Sequence, residues 1–342
     1  MLTGQTLLEA IEGFGLVGRG GAAFPVSKKW RRMRDLSASK KYVVCNASEG
    51  EIGVAKDIHI LRNFPDLVIK GLLLTMDFLD TKEAYINFNK NYYSQVKTSI
   101  DALLLACRNK HFLVTIFQEE PSYIGGESGA LLNAIEGRKT QPRVEPPSPS
   151  LRGIHGAPTL VHNVETLYDV ARVALGEFQP TRFSTILGVE NEGVYCVDAA
   201  VSVAGILRQT DNYPKFPFFV QVGGGASGEI MRSDQAESAS LSGCGSIEIY
   251  PQSTSAYFLL HKISQFYAKE SCGKCAPCRE GSWAIKELID RLDPQIADAD
   301  IPWQELWPLV DLMEQASLCG LGQAIGKPLK SYARNILRQE AL

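Results

Sequence analysis

The chain has 342 residues, 45% of them hydrophobic and 21% charged, with a net charge of −3. That length suggests two or three units with ample material for buried cores, and the near balance of charge, with no sustained basic stripe, argues against nucleic acid as a partner. The longest apolar run, Leu67 to Leu79, carries Lys70 and Asp77 and is too short to span a bilayer, and the first ten residues lack the basic flank and apolar core of a secretory signal. A cytoplasmic location follows, in which the eight cysteines are expected as thiols or metal ligands rather than disulfides.

Along the chain, Thr6 to Phe14 reads as a short helix, and Gly18-Arg19-Gly20-Gly21-Ala22-Ala23-Phe24-Pro25 must be a turn or loop. Tyr42 to Cys45 is a buried strand that runs into the polar loop Asn46-Ala47-Ser48-Glu49-Gly50-Glu51. Residues from about Ala55 to Leu79 look helical, divided near Pro65. Ala84 to Phe88 and His111 to Phe117 read as strands, with a helix from roughly Tyr92 to Cys107 between them. This is the order of an α/β layer with a parallel sheet. A second glycine turn, Tyr123 to Gly129, opens the helical run Ala130 to Glu136. A loop rich in proline and glycine follows, Gln141 to Pro158, and Thr159 to Leu175 looks helical again.

From about Phe183 the texture changes to short β-prone segments, ending near Tyr250, and beyond it to four amphipathic helical stripes. The domains expected are therefore 1–180, 181–250 and 251–342. Among the helices lies Glu270-Ser271-Cys272-Gly273-Lys274-Cys275-Ala276-Pro277-Cys278. Three thiolates at CxxCxxC spacing can turn inward on one short loop, and Cys319, brought back by the fold, closes a set of four sulfur ligands. Such a set holds a [4Fe–4S] cluster or structural zinc. The spacing favours the cluster, because zinc sites more often use separated CxxC pairs or histidine.

Gly18 to Ala23 fits GxGxxA, but a helix rather than a strand precedes it, so the ordinary dinucleotide fingerprint is not met. Gly20 and Gly21 still allow backbone N–H groups to approach a phosphate or a flat ring, although a tight connection with no ligand fits them as well. Asn46, Ser48, Glu49 and Glu51 lie at the C-terminal end of a strand, where open α/β sheets bind ligands. The turn at Gly125 and Gly126 opens a helix whose N–H groups favour an anion.

These residues, together with Lys29-Trp30, Gly126-Glu127 and Asn163-Val164-Glu165-Thr166, resemble the flavin- and NADH-binding subunit of respiratory complex I. The diaphorase subunits of NAD-linked hydrogenases and formate dehydrogenases share these motifs. The resemblance runs over nearly the whole chain in matching order. It implies a Rossmann-like domain for FMN and NADH, a small ubiquitin-like β domain and a C-terminal four-helix bundle holding [4Fe–4S]. It also implies hydride passing from NADH to FMN and single electrons from FMN to the cluster. By position, Gly18, Arg19, Gly20, Gly21, Lys29, Asn46, Ser48, Glu49, Gly126, Glu127, Ser128, His162, Asn163 and Thr166 line the cofactor site. Phe24 and Glu51 face NADH, and Cys272, Cys275, Cys278 and Cys319 hold the cluster. The implied partners are a thioredoxin-like [2Fe–2S] subunit and a larger iron–sulfur subunit, with no direct membrane insertion.

The sequence departs from the family pattern at Ser48, Ile52, Ser128 and His162, at Arg32 after the Lys-Trp pair, and at Glu145 and Ser148 in the proline-rich loop. An anion in place of a cation weakens binding of a doubly charged dinucleotide. A flavin and iron–sulfur module that relays electrons between protein partners without NADH is therefore the alternative function, and a scaffold with an empty flavin pocket is a third.

Overall fold

A computed structural model describes residues 1–108 and 111–338. The chain divides into two compact units, Met1–Gly50 with Ala55–Pro180, and Glu51–Val54 with Thr181–Leu342.

The first unit runs α1 (Gly4–Gly13), α2 (Val26–Asp35), β1 (Tyr42–Ala47), α3 (Lys56–Asn63), α4 (Pro65–Phe78), β2 (Glu83–Asn89), α5 (Lys90–Arg108), β3 (Leu113–Glu119), α6 (Ser128–Ile135), β4 (Thr159–Asn163) and α7 (Val164–Leu175). Its strands form one parallel sheet in the order β3-β2-β1-β4. Helices cover both faces, so β1 is an apolar run in which Val43, Val44 and Cys45 are fully buried. Pro65 divides the long helical stretch by taking the first position of α4, where its missing N–H has no helical partner to lose. Packed on α7, α4 comes so close that a Cβ on Gly71 would lie 1.9 Å from the Leu167 carbonyl oxygen.

Two segments here differ from the sequence reading. Thr159–Asn163, expected as the start of a helix, is strand β4: it pairs with β1 from Tyr42↔Thr159 to Asn46↔Asn163, and Asn163, in extended conformation, caps the helix that follows. The apolar pattern alone does not separate a short buried strand from the helix it feeds. The sequence pattern assigns no element to Val26–Asp35, which is α2. Its many basic positions mask a stripe of Val26, Trp30 and Met33 that is buried at helical spacing.

The second unit runs β5 (Thr181–Leu187), β6 (Gly193–Asp198), α8 (Val203–Gln209), β7 (Phe218–Val222), β8 (Glu229–Arg232) and β9 (Ser246–Pro251). These strands form a mixed sheet in the order β6-β5-β9-β7-β8, parallel between β5 and β9 and antiparallel elsewhere. The sequence reading gives no helix here, yet Ser202 caps α8 and places Val203, Ile206 and Leu207 in the core beside Val220 and Ile247. Five helices follow: α9 (Ala256–Glu270), α10 (Ala276–Asp290), α11 (Trp303–Ala316), the single turn α12 (Gly320–Gln323) and α13 (Gly326–Asn335). Of these, α10 packs on both α9 and α11, where Gly281 leaves room for Met313. Among the described residues no helix is long and apolar enough to cross a membrane.

Candidate functional site

The strand order places a topological switch in the first unit. The chain steps from β1 to β2 to β3 in one direction and then returns to add β4 on the other side of β1. Strands are thus added on both sides of β1, and the region outside the carboxyl ends of β1 and β4 is where such sheets bind ligands. In the register, Asn46 stands between Asn87 and Asn163. Asn46 Nδ2 donates to the Gly126 carbonyl at 2.9 Å, and its Oδ1 accepts the Ser48 N–H at 3.1 Å, so one side chain ties the loop after β1 to the second glycine turn. A Cβ on Gly126 would lie 2.9 Å from the Ser48 carbonyl oxygen, and that close approach requires glycine.

The first glycine loop is held against α7 by Arg19. Its N–H donates to Thr166 Oγ1 at 2.9 Å and its guanidinium pairs with Asp169 at 3.0 Å, both within the protein interior. Burial, with Glu165 close by, pushes the Asp169 carboxyl up to about 7 against the pull of Arg19. Beyond this anchor Gly20 and Gly21 are exposed, and Gly21 has a φ of 106° that favours glycine. Gly20 passes the Asn163 side chain at the distance where a Cβ would make a 3.4 Å contact. Phe24, at the tip, is 54% exposed.

Lys29, on α2, donates to the Val161 carbonyl at 2.7 Å. Among the described residues no other protein acceptor takes its two remaining protons. Burial lowers its ammonium to about 8, and only the Glu145 carboxylate opposes that shift. A half-buried cation with donors to spare fits an anionic, oxygen-rich ligand such as FMN, and so does the exposed glycine backbone of the first loop.

His162 is the residue before Asn163 on β4 and points the other way. It is 4% exposed and accepts the Trp30 Nε1–H at 2.8 Å, and burial, with Lys29 close by, depresses its pKa well below the ordinary histidine value. It therefore stands inside the core, apart from the face that Asn163 occupies. Glu127 caps α6, its carboxylate accepting the N–H groups of Gly129 and Ala130 at 2.9 and 2.8 Å. This corrects the expectation that the helix end offers those N–H groups to an anion, since the chain's own carboxylate fills the place. Ser128 is the first residue of that helix. Glu51 belongs to the second unit, where its carboxylate accepts the Ala226 N–H at 2.8 Å and the Ser227 hydroxyl at 2.6 Å, and burial pushes its pKa up.

Sequence reasoning overlooks the buried charges beneath this face. Lys56 and Asp57 open α3, and Lys56 Nζ meets Asp57, Asn163 and Glu165 at 2.6, 3.0 and 3.2 Å. Burial alone would lower the Lys56 ammonium, but Asp57, Glu165 and Glu49 more than reverse this and hold it above the ordinary lysine value. Glu49 accepts the Asp57 N–H with both oxygens, at 3.1 and 3.2 Å, and the Tyr92 hydroxyl at 3.1 Å. Burial and the neighbouring Asp57 push its carboxyl up to about 8. The sequence carries one faint signal of this network: Lys56-Asp57 is a charged pair enclosed by Val54 and Ile58, both buried.

In the second unit Cys272 and Cys275 lie on the loop into α10, where Gly273 has a φ of 74°, and Cys278 lies in the first turn of that helix. The buried Cys278 thiol lies 3.5 Å from Ser271 Oγ, and burial pushes its pKa up. The Cys319 segment is brought to the same place. The Leu318 N–H donates to Cys275 Sγ at 3.5 Å, Cys319 precedes α12, and a Cβ on Gly322 would touch the Cys278 Cβ at 3.2 Å. Among the described residues no group of three or more His, Cys, Asp or Glu is placed to hold a metal ion. A backbone N–H directed at a cysteine sulfur is one of the devices that tune iron–sulfur clusters, and four cysteines are a donor set of the kind such clusters use.

An open parallel sheet with a glycine loop at its switch point, joined to a four-cysteine helical region, defines a class of redox protein that pairs an organic cofactor with a metal cluster. Residues 11–172 match the Nuo51 FMN-binding domain, and residues 259–339 match the NADH-ubiquinone oxidoreductase-F iron–sulfur binding region. An F-type subunit of NADH-quinone oxidoreductase from Rhizobium meliloti (strain 1021) is 29% identical over 84% of this chain and 76% of its own length. The F-type subunit from Rickettsia bellii (strain OSU 85-389) is 28% identical over 97% of this chain and 88% of its own. The fold is also that of a chain of an NAD⁺-reducing [NiFe]-hydrogenase in the H₂-reduced state, with a TM-score of 0.87 at 26% identity. That match covers 98% of this chain, which spans 62% of the hydrogenase chain's length. The chain belongs to the family of flavin- and NADH-binding subunits found in respiratory complex I and the NAD-linked diaphorases.

Proposed function

We propose that this chain is the electron-input subunit of an NADH dehydrogenase or diaphorase complex, with FMN in residues 1–180 and a [4Fe–4S] cluster on Cys272, Cys275, Cys278 and Cys319. Residues 181–250 serve as a ubiquitin-like connector and 251–342 as a four-helix bundle around the cluster. When bound, FMN supplies the conversion between two-electron and one-electron chemistry, and the cluster a one-electron exit. The chain's residues do the placing. Lys29 presents its two uncommitted protons to the ligand's oxygens, Arg19 holds the glycine loop on α7, Asn46 locks the two ligand loops together, and Phe24 offers an exposed ring for stacking. The proposed partners are a thioredoxin-like [2Fe–2S] subunit and a larger iron–sulfur subunit, on the cytoplasmic side.

The observation that carries this reading is the under-satisfied Lys29 on α2, whose ammonium has one protein acceptor, the Val161 carbonyl, among the described residues. Its test is anaerobic titration of FMN-loaded protein with NADH, followed at the flavin absorption band. Bleaching at submillimolar NADH is expected, together with a weakened FMN complex in Lys29→Met; no bleaching at millimolar NADH overturns it. One observation favours the second reading, electron relay between proteins without NADH. Glu145 lies close enough to Lys29 to hold that ammonium up, and burial, with Glu127 nearby, pushes the Glu145 carboxyl up. That makes the mouth of the site less welcoming to a dinucleotide's phosphates. Flavin reduction by a reduced ferredoxin but not by NADH would establish this reading.

A further inference from the structure

Two of the proposed flavin contacts share one buried cation. Lys56 and Asp57 are each 2% exposed. The Lys56 ammonium donates to Asp57 Oδ1 at 2.6 Å and to Asn163 Oδ1 at 3.0 Å, and it pairs as an ion with Glu165 Oε2 at 3.2 Å. Asn163 Oδ1 also accepts the Glu165 N–H at 3.0 Å, and Asn163 Nδ2 donates to Asp57 Oδ2 at 2.6 Å. The two ends of the Asn163 amide are thereby distinguished. Its oxygen faces a cation and a helix N–H, its nitrogen faces a carboxylate, and one Nδ2 proton is left over. From the same Asp57, the backbone N–H reaches both oxygens of Glu49.

We propose that Lys56 is a positioning residue of the flavin site. Through Asn163 Oδ1 it sets which end of that amide faces the ligand, and through Asp57 it fixes the Glu49 carboxyl at the end of β1. The inference rests on the reading of the first unit as the FMN site. Stability alone is a poor explanation of the cluster, since replacing a buried ion pair by apolar residues of similar volume is often neutral or stabilising. What an apolar replacement cannot supply is a distinction between the oxygen and the nitrogen of Asn163.

The test measures FMN affinity of apoprotein by quenching of flavin fluorescence, with the visible spectrum of the bound flavin and the Tm of each apoprotein beside it. Asp57→Asn keeps shape and volume but leaves one oxygen for two donors, so its NH₂ group must face either Asn163 Nδ2 or the Lys56 ammonium, each now at 2.6 Å, and the Lys56–Asn163 arrangement must give. Lys56→Arg keeps the charge but not the placement of one ammonium against Asp57, Asn163 and Glu165. Both are expected to raise the Kd for FMN tenfold or more and to shift the flavin band, with the apoprotein Tm changed by only a few degrees. A purely structural role would lower Tm and leave Kd and spectrum as they are, and that result overturns the proposal. Should Lys56→Arg fail to fold, Asp57→Asn decides alone. Wild-type apoprotein that binds no FMN would instead refute the reading of the site itself.

Discussion

Replacing Glu49 by Gln removes a buried titration whose effect on stability can be worked out in sign and size. Glu49 is faced by Asp57 and Lys56 from α3 and by Tyr92 from α5. Burial and Asp57 push its carboxyl from 4.5 to about 8, while Lys56, the Asp57 N–H and Tyr92 act in the opposite sense. Between those values the folded chain keeps a proton that the unfolded chain has lost. Stability must therefore fall as pH rises from about 4.5 to 8 and level off above. The slope for one such group is at most about 1.4 kcal/mol per pH unit. From pH 6 to pH 8 that amounts to about 1–3 kcal/mol, the lower end applying where Asp57 shares the charge change. Glu49→Gln abolishes the titration and keeps an oxygen to accept the Asp57 N–H. Its gain over wild type should grow with pH and reach a plateau above pH 8. Urea unfolding at pH 6, 7, 8 and 9 measures this difference directly, and parallel stability profiles for the two proteins would refute the argument.

Three further outcomes follow from the same structure. Gly71→Ala sets a Cβ 1.9 Å from the Leu167 carbonyl oxygen, so α4 and α7 must part; a loss of about 3 kcal/mol is expected, and an unchanged calorimetric Tm would contradict it. Glu127→Ala removes the cap of α6, at a cost of about 1 kcal/mol, and should speed hydrogen exchange at Gly129 and Ala130. Exchange as slow as in wild type would show that another group takes the cap. Cys319→Ser should lower the iron content and abolish the EPR signal of the reduced protein, whereas wild-type protein that carries zinc in place of iron would overturn the cluster assignment.

What could be read from the sequence is what depends on near neighbours. The CxxCxxC loop, the two glycine turns, the strand Tyr42 to Cys45 and the break at Pro65 each announce themselves within about ten residues, because spacing and backbone restriction are local properties. The elements that escape are decided at long range. Thr159–Asn163 becomes a strand only because β1 has an open edge for it, and α2 is a helix whose buried stripe is hidden among charges. The same holds within the site. The family resemblance assigns the adjacent His162 and Asn163 to the same cofactor site, but a strand turns alternate residues to opposite faces and sends His162 to Trp30. Lys56-Asp57 is harder still, since a Lys-Asp pair at the start of a helix reads as a solvated terminus. Only the arrival of Asn163 and Glu165, more than a hundred residues later, closes α3 against α7 and turns that terminus into an interior. The residues proposed to face the ligand are thus written in motifs. The residues that fix their orientation are written in the topology, and in this chain the two sets meet at Asn163.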